Sequence, residues 1–149
     1  MGTVLPGSAS VNLRSLCLAA LAMVCMQANA APLPAGIVCH VTYGGETRQI
    51  TALPVASPYA IKATQIGSYF LFRAVVQDAP ADIAAIKLYV YGDTDDGPVL
   101  IHQVDYPYPP ASRQTAAFGF TGLHRVYETI RDGELEYWCH WQSGGKKLK

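Results

Sequence analysis

The 149-residue chain is expected to fold as an all-β domain, two antiparallel sheets packed face to face as a sandwich. Three observations predict this class. From Ile37 onward apolar and polar residues alternate with a period of two. The alternating segments are rich in Val, Ile, Thr, Tyr and Phe, and Gly, Pro and Asp punctuate them about every ten residues.

The domain follows a leader. The stretch "VNLRSLCLAALAMVCMQANA" joins a cationic start at Arg14, an apolar run over 15–26 and the small-x-small site Ala28-Asn29-Ala30, so a signal peptide cleaved before Ala31 is expected. Its apolar run is too short to span a bilayer. The expected product is therefore periplasmic or secreted, with no transmembrane segment after cleavage. Residues 1–30 are assigned to the leader and 31–149 to a single β-sandwich domain, a length that supports one core and not two.

About eight strands are read along that domain, over 37–43, 47–53, 59–64, 69–77, 83–91, 99–106, 113–121 and 135–141, with 125–129 a further candidate. Gly44-Gly45 can take the positive φ angles of a two-residue hairpin turn, which pairs Cys39 with Ile50 and His40 with Gln49. "APAD" and "GDTDDG" read as further turns. "YPYPP" is too stiff and extended for a tight hairpin. Each strand has an apolar side: Ile37, Cys39 and Val41; Phe70, Phe72, Ala74 and Val76; Ile86, Leu88 and Val90; Phe118 and Phe120; Leu135, Tyr137, Cys139 and Trp141. These sides are expected to face inward.

Charge excludes one class of partner. Loss of Arg14 with the leader leaves ten basic against 11 acidic side chains, and the only cationic run is the tail "GGKKLK", so nucleic acid is not an expected partner. After cleavage only Cys39 and Cys139 remain, and an oxidising compartment favours their pairing. Closing so long a loop is worth about 4.7 kcal/mol in the chain-entropy model.

The segment "DGELEYWC", an acidic turn leading into Tyr137-x-Cys139, resembles the end of an immunoglobulin-type domain, and "IVCHVTY" resembles its earlier cysteine-bearing strand. The resemblance implies an immunoglobulin-like sandwich, a bridge reaching across the core, and Tyr137 in the place of the tyrosine corner. It is carried by the fold alone and lends no activity.

Several groups invite chemistry. His40 and His140 each follow a bridging cysteine, and imidazole is a common ligand for zinc or copper. Strand order decides whether they meet. Parallel neighbouring strands set them side by side, antiparallel ones place Trp138 opposite His40, and a bridge between sheets sends them to opposite surfaces. His102, in "VLIHQVDY", is buried opposite Leu88 by a five-residue loop or exposed opposite Lys87 by a four-residue loop. His124 reads as an exposed loop residue. Asp93, Asp95 and Asp96 lack the spacing of a calcium loop and read as a β-turn.

No nucleophile elbow, zinc-protease helix or phosphate loop is present, so neither an enzyme nor a cofactor is expected. Aromatic residues on expected outward faces or in the Pro-rich connection, Tyr89, Tyr91, Trp138, Tyr106 and Tyr108, suit contact with a protein. The expectation is a binding or accessory module that meets another exported protein through Tyr89, Tyr91 and Trp138. The alternative is copper or zinc binding by His40 and His140, joined by His102.

Overall fold

The structure is a computed structural model that describes residues 1–2, 35–111 and 117–144. The chain divides into two compact units, Met1–Ala31 and Pro32–Lys149, and the fold below is that of the second. The expected leader lies outside the described residues, as do residues 112–116 and the last five of the tail.

Among the described residues nine strands are found: β1 Gly36–Tyr43, β2 Glu46–Ala52, β3 Pro54–Val55, β4 Thr64–Ile66, β5 Phe70–Gln77, β6 Ala85–Thr94, β7 Gly97–Pro107, β8 His124–Glu128 and β9 Gly133–Gln142. The first sheet has the order β2-β1-β9-β8. The second runs β3-β5-β6-β7, with β4 also paired to β5; among these named strands β3 and β5 pair in parallel and the others antiparallel. The architecture is consistent at the level of fold with an immunoglobulin-like sandwich. Among the described residues no helix is long and apolar enough to cross a membrane.

Period-two alternation builds the core. Ile37, Cys39, Val41, Val126, Leu135, Tyr137 and Cys139 of the first sheet meet Phe70, Phe72, Ala74, Val76, Ile86, Leu88 and Val90 of the second, all buried. The Gly44-Gly45 turn forms as expected, with φ of 60° and 82°, and pairs Cys39 with Ile50 and His40 with Gln49. The Cys39–Cys139 bridge also forms, but within one sheet: β1 and β9 are antiparallel neighbours and the two cysteines stand directly opposite each other. The core-crossing bridge implied by the family resemblance is thus replaced by a cross-strand one. Tyr137 differs too, because its hydroxyl meets the ring of His102.

Three local readings are corrected. The strand expected over 59–64 is instead a short 3-10 turn, Pro58–Ala60, followed by β4. Arg73 decides this, since its guanidinium donates to the carbonyls of Pro58 (2.7 Å) and Ile61 (2.8 Å) and holds the segment against the sheet. Of the strand expected over 113–121, the described part is turn apart from one isolated parallel bridge between Gly119 and Cys139. There Gly119, at φ 58°, touches the Cys139 carbonyl so closely that no side chain would fit. Third, β6 and β7 are joined by a tight loop at Asp95-Asp96, shorter than either loop considered, and a bulge at Val90/Tyr91 shifts the register.

That bulge has consequences for every later side chain of β7. One extra residue inverts the faces of a strand. His102 therefore pairs with Val90 and Tyr106 with Ile86, and both turn toward the core. Tyr106 was expected on an outward face or in the Pro-rich connection, and the inversion turns it inward instead.

Candidate functional site: two outer sheet faces and a histidine pair between them

The outer face of the second sheet carries Tyr89 and Tyr91, which alternate along β6 with the buried Leu88 and Val90. Their rings stack at 6.3 Å with planes 23° apart. Arg73, opposite Tyr89, sets its guanidinium 5.2 Å from that ring. Burial raises the Tyr89 hydroxyl above its ordinary pKa, partly offset by the Arg73 charge. Beside Tyr91 opens a shallow groove of about 450 Å³, walled by Tyr59, Ile61, Lys62, Leu71 and Arg73. Leu100 pairs with Tyr91 at the sheet's edge strand, where Val99, Leu100 and Ile101 are all exposed. Tyr59, almost wholly exposed at 92%, stands at the rim.

Trp138 is elsewhere. It lies on the outer face of the first sheet, so the three residues expected to form one contact surface are divided between opposite faces of the sandwich. Tyr89 and Tyr91 remain together. Trp138 instead joins His40 and His140. Antiparallel pairing puts His40 opposite Trp138, and their rings stack in parallel at 3.9 Å and 4°. His140 is the diagonal neighbour, its ring 5.3 Å from His40 and 5.7 Å from Trp138. Phe118, expected inward, is 43% exposed and meets Trp138 edge-on at 6.2 Å. His40 Nε2 and His140 Nδ1 are both buried, with no hydrogen-bond partner among the described residues. Burial, then the neighbouring His140, holds His40 below the usual imidazole pKa.

A second histidine pair lies between the sheets. His102 Nε2 is hydrogen-bonded to the Tyr137 hydroxyl at 2.7 Å, and His124 Nε2 to the Tyr106 hydroxyl at 2.8 Å. His124 stacks on Tyr137 at 4.8 Å, and Tyr106 also donates to the Thr121 carbonyl at 3.2 Å. Burial and then His124 lower the pKa of His102, while burial raises those of Tyr137 and Tyr106. His102 is consequently not a partner for His40 and His140, which lie on the far side of the first sheet. His124 is no loop residue but the first residue of β8, half-buried. Tyr108 is likewise engaged, against Trp141 at 5.9 Å.

Sequence reading missed Tyr59 and Phe118 as members of these faces, and it missed the contacts that Arg73 makes there. A lone arginine in the apolar run "FLFRAVV" was the available signal for Arg73, since such a charge needs partners. Asp95 and Asp96 form the expected turn while Asp93 belongs to β6, and the aspartates reach distant side chains rather than local backbone amides, Asp93 Oδ2 accepting from Gln65 at 3.0 Å and Asp95 pairing with Arg131 at 3.1 Å. Among the described residues no three His, Cys, Asp or Glu side chains converge on a metal position. No protein family, curated protein or solved structure matches the chain.

Proposed function

We propose that the protein is an exported, non-catalytic binding module that holds an extended segment of another exported protein on the outer face of its second sheet. The observation that carries this reading is the continuity of Tyr89, Tyr91 and Leu100 with the groove under Tyr59, an aromatic and apolar surface that ends at an edge strand. Exposed apolar area of this kind is held in water at a cost unless a partner covers it. Tyrosines supply large contact area with little side-chain entropy to lose. An edge strand offers backbone groups to an added strand, and alternate side chains of that strand would reach the tyrosines.

The purified protein, immobilised, is expected to capture one defined partner from an exported-protein fraction, identified by mass spectrometry. Capture is lost in the double variant Tyr89→Ser, Tyr91→Ser and retained in Trp138→Ser, because Trp138 sits on the other face. Equal capture by the tyrosine variant and the wild type overturns the proposal, as does loss only in the tryptophan variant.

A further inference from the structure

The outer face of the first sheet carries a separate site. Cys39 and Cys139 stand opposite each other, so the residues that follow them emerge together on the outer side: His40 opposite Trp138, with His140 one step along the diagonal. Each neutral imidazole has one N–H and one lone pair. Here one nitrogen of each ring, His40 Nε2 and His140 Nδ1, is closed off from water and bonded to nothing in the described structure. Buried polar atoms without partners are rare and costly, and a pair on neighbouring rings indicates a group that serves both.

We propose that His40 and His140 bind a single copper ion, held as Cu(I) by His40 Nε2 and His140 Nδ1 beside the Trp138 ring. With metal–nitrogen bonds of about 2.0 Å, two imidazoles bound end-on to one ion hold their centroids at most about 6 Å apart. The observed 5.3 Å fits a bent pair with one open position for a water or an exogenous donor.

The donor set selects the ion. Calcium and magnesium require clustered oxygens. Zinc in closed protein sites takes four ligands, and no third His, Cys, Asp or Glu joins these two among the described residues. Copper stands highest in affinity among the divalent ions for nitrogen donors, and its monovalent state accepts few ligands. The bridging cysteines are tied to each other and supply no thiolate. Trp138 contributes an electron-rich face, to which cations are attracted.

Anaerobic titration of the purified protein with Cu(I) against a chromophoric chelator tests the proposal. One equivalent is expected to leave the chelator, and His40→Ala or His140→Ala to weaken uptake by roughly a hundredfold or more. In a Trp141→Phe background, Trp138 fluorescence falls as the ion binds. A wild-type protein that takes no copper from the chelator overturns the site and leaves a shared water as the partner of the two nitrogens. Undiminished uptake by the double histidine variant, its fold checked by thermal melt, overturns it as well. Preference for Zn(II) in a parallel titration overturns the choice of ion.

Discussion

The two histidine pairs of this sandwich differ in one respect. Between the sheets, His102 and His124 each find a tyrosine hydroxyl, and in the first pair those hydroxyls come from the opposite sheet: Tyr137 on β9 serves His102 on β7, and Tyr106 on β7 serves His124 on β8. On the outer face of the first sheet, His40 and His140 lie against each other and against Trp138, with Gln49 opposite His40 on β2, and among the described residues one nitrogen of each ring has no hydrogen-bond partner. Two packed layers supply complementary groups from both sides, whereas an outer face can draw only on its own strands and on whatever binds there. The inner pair therefore belongs to stability. The outer pair is the one proposed to hold copper.

The largest expected effect falls on both pairs at once. Replacing Cys39 and Cys139 by alanine removes the link that pins β1 to β9, and urea unfolding is expected to lose about 2–5 kcal/mol. A loss below 1 kcal/mol would show that strand pairing alone holds this register.

Next comes the inner network by itself. Tyr137→Phe leaves His102 Nε2 without its hydroxyl inside the sandwich, at an expected cost of about 1–3 kcal/mol. His140→Gln on the outer face should stay within about 0.5 kcal/mol of wild type. Equal costs at the two positions, measured by the same unfolding titration, would break the comparison.

The smallest effect is the pH dependence. His102 has its folded pKa lowered by burial and by His124, while in the unfolded chain it titrates near about 6.5. Below that value the unfolded state binds the proton more readily, so stability is full above about pH 6.5 and declines as pH falls toward the lowered folded pKa. Melting temperatures are expected to drop from pH 7 to pH 5, with a shallower slope in His102→Gln. His40 is lowered in the same direction, so His40→Gln should also flatten the curve, but less, because His40 is less deeply buried than His102.

Much of the fold was legible beforehand because its signal is local. Alternation at a period of two marks which side of each strand is apolar, and two glycines able to take positive φ set the register of β1 on β2 residue by residue. Much of the site was not legible. A single extra residue in β7 turned Tyr106 and His102 inward, and no residue type in "VLIHQVDY" announces a bulge. The contacts of Arg73 with Pro58 and Ile61 converted an alternating segment into a turn, through partners 12 and 15 residues away.

By itself, the sequence determined the all-β class, the first hairpin, the apolar side of each principal strand and the pairing of Cys39 with Cys139. These depend on side-chain alternation, on turn geometry and on there being two cysteines in the expected mature chain. Only the tertiary structure decided that the bridge lies within one sheet, that Trp138 is separated from Tyr89 and Tyr91 by the thickness of the sandwich, and that the four histidines form one satisfied pair and one unsatisfied pair. The physical reason is that strand neighbours distant in sequence are chosen by the packing of whole faces, which no short stretch of the chain encodes.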